Sequence, residues 1–138
     1  MRYADGEVYQ GQWKGGNIEG RGTYRYANGN VYEGEFKGGK QDGRGRIQLA
    51  KNEVYEGEFK ANKSDGRGTF LYADGKVESC FYKGVDRLGE GVKWSADRQT
   101  AWRLRDGEEV GEVSLEEAAA IAAAMGLPVP SAAASQFV

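Results

Sequence analysis

The chain has 138 residues and a formal charge of −2, enough for one domain and too balanced to draw nucleic acid by bulk charge. It has no histidine and one cysteine, Cys80, which excludes histidine general-base catalysis, histidine metal ligation and an internal disulfide, and suits a reducing compartment. No apolar run approaches the ~20 residues of a membrane span, and no signal-peptide pattern opens the chain, so a cytoplasmic location is expected.

In chain order, residues 2–8 (RYADGEV) match residues 25–31 (RYANGNV). The chain therefore opens inside the second strand of a repeat, and a fragment of a longer array is expected. Tyr9, Tyr32 and Tyr55 then recur at a spacing of 23, as do Gly11, Gly34 and Gly57, and Trp13, Phe36, Phe59 and Tyr82. A fixed period of this length is the mark of stacked supersecondary units. Three good copies cover residues 9–31, 32–54 and 55–77, a degraded copy covers 78–100, and a degenerate one covers 101–113.

Within each copy the apolar residues alternate. Tyr9, Gly11 and Trp13 interleave with Gln10, Gln12 and Lys14, and Gly20, Gly22, Tyr24 and Tyr26 with Arg21, Thr23 and Arg25. This is strand periodicity, so each copy reads as a β-hairpin with an aromatic–glycine face and a polar face. A three-residue loop, Ala27-Asn28-Gly29, with Gly29 left-handed, sets Tyr24 opposite Tyr32 and keeps the faces in phase. The polar face then places acids against bases, for example Arg21 beside Glu35 and Arg44 beside Glu58, a self-neutralising arrangement.

The Y-x-G-x-W/F opening and the later G-x-G resemble the MORN (membrane occupation and recognition nexus) repeat, over roughly residues 2–100. The resemblance implies an all-β, elongated, single-layer antiparallel sheet of hairpin repeats used as an interaction module. It also implies cytoskeletal or membrane-associated assemblies as its setting. The expected groove lies on the aromatic–glycine face: Tyr9, Gly11, Trp13, Tyr24, Tyr32, Gly34, Phe36, Tyr55, Gly57, Phe59 and Phe70. Stacked repeats present extended binding surfaces, so a protein partner, as a peptide or helical segment, is expected. A single-layer sheet leaves its edges open, so a homodimer or end-to-end oligomer is also expected.

After Gly91 the parity changes. Phe81, Val92, Trp94, Trp102 and Leu104 are expected to form an apolar cluster on the charged face, with Ala101, Arg103 and Arg105 at the Tyr, Gly and Trp positions of the fifth copy. Ser114 and Glu117 form an S-x-x-E capping box that predicts a short helix over 114–126, with Leu115, Ala118, Ile121, Ala122 and Met125 as its apolar stripe. This helix is expected to dock on that cluster and cap the array; the alternatives are that it fills the aromatic groove or packs on a second subunit. Residues 127–138 are expected to run on as an extended tail.

No catalytic constellation, metal set or cofactor motif is present in the sequence, and the G-x-G pairs lack a following Gly-Lys-Ser/Thr. The expected function is a non-catalytic scaffold. The alternatives are direct phospholipid binding, disfavoured because no cluster of 4–8 basic residues occurs in the sequence, and an accessory region of a larger enzyme.

Overall fold

The computed structural model describes residues 3, 6–84, 86–127 and 129–130. Strands β1 (Val8–Lys14), β2 (Asn17–Arg25), β3 (Val31–Lys37), β4 (Lys40–Leu49) and β5 (Glu53–Lys60) are followed by β6 (Lys63–Leu71), β7 (Val77–Lys83), β8 (Asp86–Trp94), β9 (Ala101–Arg105) and β10 (Glu108–Val113). They lie side by side in chain order as one open antiparallel sheet, followed by helix α1 (Leu115–Ala124). At ~4.8 Å between neighbours, ten strands extend roughly 43 Å across the sheet. Of the tail expected over residues 127–138, residues 128 and 131–138 lie outside the described residues.

Two kinds of turn make this meander. Inside a hairpin, two residues suffice: Gly15-Gly16 has φ values of 58° and 81°, and Ala61-Asn62 has 50° and 72°. Both residues being left-handed matches the twist of the flanking strands, which is why glycine and asparagine dominate there. Between hairpins the loop has three residues, as expected. Gly29 donates its N–H to the Tyr26 carbonyl at 3.0 Å, and Gly29 and Asn52 hold the left-handed position with φ of 94° and 64°. Tyr24 therefore faces Tyr32, and Ile47 faces Tyr55.

The loop before β9 differs. Ser95 donates its N–H to the Thr100 carbonyl and accepts at its own carbonyl from Arg98, so four residues, Ala96 to Gln99, separate the flanking pair. Arg98 takes the left-handed position at φ 64°, where its guanidinium donates to the carbonyls of Gly75, Ser95 and Ala96. One extra residue inverts the parity of the strand that follows. Ala101 pairs with Trp94, Trp102 with Lys93, and Leu104 with Gly91. Trp102 and Leu104 therefore lie on the aromatic face. This corrects the reading that put them on the charged face, with Ala101 at the tyrosine position.

Helix α1 packs against β8 and β9 on the charged-face side. Its Ser114 side chain accepts the Glu117 N–H at 3.0 Å, closing the expected cap. Ala118, Ile121, Ala122 and Met125 enclose a cluster with Val77, Val92, Trp94 and Ala101, flanked by Leu71 and Val113. Val92 and Trp94 thus belong to the docking cluster. Phe81 lies on the same face but stays 41% exposed, and Leu115 is exposed instead of closing the stripe. Ala101 and Val77 take the places assigned to the larger residues, and the alanines of α1 allow close approach. At ~25 cal/mol per Å2, burial of Trp94 and its aliphatic neighbours stabilises this end by several kcal/mol.

Candidate functional site

The aromatic face is built from a tyrosine–glycine couple repeated three times. The Tyr32 ring lies flat over β4, where a Cβ on Gly45 would meet its Cζ at 2.5 Å. Tyr9 covers Gly22 and Tyr55 covers Gly68 in the same manner. Each hydroxyl turns back to its own strand: Tyr9 donates to the Gln12 carbonyl at 2.8 Å, Tyr32 to Glu35 at 2.7 Å and Tyr55 to Glu58 at 3.0 Å. The ring gains apolar contact with bare backbone, and its polar tip is satisfied. Burial pushes the hydroxyl pKa of Tyr9, Tyr32 and Tyr55 upward.

The remaining rings stand edge-on between these tyrosines. Trp13, Tyr9, Phe36, Tyr32, Phe59, Tyr55 and Tyr82 form one herringbone row with centroids 5.0–5.4 Å apart and near-perpendicular planes. Edge-to-face packing is the favoured geometry for such quadrupoles. Phe36 and Phe59 are consequently buried, at 5% and 6%, and Gly34 and Gly57 sit under backbone and tyrosine contacts. Of the expected groove rings, Trp13 is the exposed one, at 44%, while Tyr24 and Phe70 are half-buried. The trench between the rings is thus filled from within by tyrosine.

The open concavity lies beside that row. One stretch of ≈ 550 Å3 has Ile47, Leu49, Phe70 and Tyr72 along one wall, Gln41, Asn62 and Ser64 along the other, and Tyr55, Phe59 and Tyr82 beneath. A second, of ≈ 480 Å3, continues it past Tyr24, Tyr26 and Phe36 and shares Gln41, Ile47 and Asn62. Gln41 is anchored by its Nε2 donating to the Tyr26 hydroxyl and by its N–H to Asn62 Oδ1. The result is a groove across the strands with an aromatic–aliphatic wall and an amide–hydroxyl wall. Ile47, Leu49, Tyr26 and Gln41 were not among the expected site residues, because the alternation marks faces and not the position of a wall.

At one end of the groove the repeat's tyrosine is replaced by Glu78, 1% exposed. Its carboxylate accepts from Arg87 Nη1 at 2.7 Å, from the Tyr72 hydroxyl at 2.9 Å and from the Tyr82 hydroxyl at 2.9 Å. A buried charge is tolerated because it is paired and hydrogen-bonded. Cys80, at the glycine position of the same copy, occupies space that a tyrosine ring would need. A Cβ on Gly91 would meet Cys80 Cβ at 2.6 Å. Burial pushes the Cys80 thiol up to about 12, which leaves it protonated near neutrality. Glu78 was legible in the sequence as a glutamate in tyrosine register; Arg87 was not.

On the charged face Arg21 stands across from Glu35, Arg44 across from Glu58, and Arg46 between Glu33 and Glu56. The Glu35 and Glu58 carboxylates also accept the backbone N–H of Arg44 and Arg67, each at 2.7 Å. Among the described residues no helix is long and apolar enough to cross a membrane, and no group of three acidic, histidine or cysteine side chains is placed to hold a metal ion.

A hairpin array with a tyrosine over every second glycine pair defines a class of repeat module. A family model of the MORN repeat matches residues 9–31, 32–54 and 55–77, three consecutive copies, and the chain belongs to the MORN repeat family. No curated protein matches the chain. Modules of this family are often involved in protein or membrane interactions.

Proposed function

We propose that the chain is a non-catalytic scaffolding module that receives a segment of a partner protein in the groove of its aromatic face. The observation that carries this reading is the groove's two unlike walls. Half-buried Ile47, Leu49 and Phe70 offer apolar contact that the fold itself does not consume, while Gln41, Asn62 and Ser64 offer donors and acceptors opposite. Concave, mostly apolar sites with a few placed polar groups are where proteins take ligands. The protonated Cys80 thiol and the fully engaged Glu78 support a binding role over a catalytic one. By family resemblance, the partner places the chain in a cytoskeletal or membrane-associated assembly.

The test is selection of peptides from a random library on the immobilised chain, followed by affinity measurement on Leu49→Glu and on the parent. Selected peptides should bind the variant at least about tenfold more weakly, a charge having entered the apolar wall. Equal affinity for the two proteins, or binding abolished by moderate salt and matched by anionic vesicles, would sink the groove reading.

A further inference from the structure

Phe81 and Leu88 are cross-strand partners on β7 and β8, on the charged face, and they stay 41% and 46% exposed. Both break the period of 23. Position 81 continues Glu35 and Glu58, and position 88 continues Asp42 and Asp65. The earlier glutamates serve the fold, since Glu35 and Glu58 accept the backbone N–H of Arg44 and Arg67 at 2.7 Å. A phenylalanine side chain cannot accept, so the fourth copy gives up that bond. Burial does not compensate, because α1 closes over Val77, Val92, Trp94 and Ala101 and leaves this pair open. Adjacent large apolar side chains that cost the fold a hydrogen bond and remain exposed mark a contact surface.

The surroundings of the pair are basic. Lys60, Lys63 and Lys83 line a concavity of ≈ 580 Å3 between two hairpin tips, with Asn62, Ser64, Gly84 and one acid, Asp65. Lys83 lies two residues along β7 from Phe81 and so shares its face. Asp65 and Asp86 are its cross-strand neighbours. Lys60 stands directly opposite Lys63, a like-charge pairing that destabilises the hairpin. Among the described residues none of these three lysines is in an ion pair. The fold thus assembles at one place charges that the sequence keeps apart.

We propose that this surface, on the face opposite the groove, docks an acidic segment of a partner protein. A large apolar side chain of the segment packs on Phe81 and Leu88, while its carboxylates meet Lys60 and Lys63. The apolar pair supplies the desolvated anchor, and the lysines supply orientation and speed of encounter. The shape favours a segment over a membrane surface. Helix α1 stands on the same face, and its end is held beside the patch: Arg67, opposite Phe81, donates Nη1 to the Met125 carbonyl at 3.2 Å. A helix with its side chains is about 10 Å across. A flat anionic bilayer would therefore meet the helix, with exposed Glu116 and Glu117, before it reached Phe81. A chain segment fits in the corner between the helix and the hairpin tips.

The test is fluorescence polarisation on the full chain with two short, glutamate-rich peptides, one with a central Phe-Leu pair and one with Ala-Ala in its place. The Phe-Leu peptide should bind the parent at least about tenfold more tightly than the Ala-Ala peptide. F81E/L88D writes back the residues of the preceding copy, which the array already accommodates. It should weaken the Phe-Leu peptide at least about tenfold, with an unchanged melting curve. K60Q/K63Q relieves a like-charge pair, so the fold survives it, and it should weaken both peptides and flatten their salt dependence. Leu49→Glu, in the groove, should leave both affinities unchanged, which separates this test from that of the groove. Equal affinity for the two peptides, F81E/L88D binding as well as the parent, or loss of binding in Leu49→Glu would each overturn the proposal. So would anionic vesicles held more tightly than the peptide through the same residues. A parent that dimerises, with the dimer lost in F81E/L88D, would assign the patch to a second copy and overturn it as well.

Discussion

The Tyr32 ring occupies the volume in which Gly45 would otherwise carry a side chain, so the two residues are a single packing unit on adjacent strands. Any Cβ at position 45 would stand 2.5 Å from the ring's Cζ, far inside van der Waals contact. Gly45→Ala should therefore cost about 3 kcal/mol, the upper end of overpacking. Gly38 is the control: nothing lies within 4 Å of its added Cβ, and only its φ of 58° opposes alanine. Gly38→Ala should cost about 1 kcal/mol. Urea unfolding of the two variants measures the difference, and equal losses would contradict the ring-over-glycine account.

The length of the loop before β9 decides which side chains face the helix. Deleting Gln99 should return the loop to three residues and turn Trp102 and Leu104 toward α1, with Ala101 and Arg103 turned away. Trp94 would lose its small partner Ala101, and the buried Leu104 would leave the aromatic face. A loss of more than about 4 kcal/mol is expected, in the range reserved for disrupted cores. Unchanged thermal stability with retained Trp94 burial, read by fluorescence, would refute this.

Glu78 and Cys80 depart from the repeat together, and they should be restored together. Glu78→Tyr alone drives a ring into the Cys80 side chain and leaves Arg87 without its carboxylate. It should cost at least about 2 kcal/mol. Adding Cys80→Gly reopens the space over Gly91 and should recover about 1–2 kcal/mol, a coupling typical of residues in contact. Denaturant midpoints of the parent, both single variants and the double variant close the cycle, and strict additivity would remove the proposed exchange.

Alkaline pH should unfold the chain early. Burial raises the hydroxyl pKa values of Tyr32, Tyr55, Tyr72 and Tyr82 above the ordinary value of 10.0. The folded state then holds protons that the unfolded state releases, so stability is fully present below pH 10.0 and falls as the pH rises beyond it. Melting temperatures followed from about pH 8 to about pH 11, with tyrosinate absorbance in parallel, should fall together with ionisation. Tyrosinate that appears without loss of structure would show that the rings are open to solvent.

The sequence by itself determined the hairpin repeat, its two faces, the pairing of Tyr24 with Tyr32, and the capped helix. These follow from local quantities: a side-chain period of two in a strand, a loop length, and the hydrogen-bonding reach of Ser114. The parity of β9 hung on a single residue, Gln99, and on Arg98 accepting a left-handed conformation that the earlier copies give to glycine or asparagine. The apolar pair Trp102 and Leu104 was the available signal, since it suits the aromatic face once the loop is one residue longer. Only the tertiary structure decided which rings are spent on one another and which remain to meet a partner. That outcome depends on where a tyrosine ring comes to rest across the neighbouring strand, a contact between side chain and backbone that alternation does not encode. Phe36 and Phe59 were absorbed by that packing, and the open surface passed to Ile47, Leu49 and Gln41 beside them.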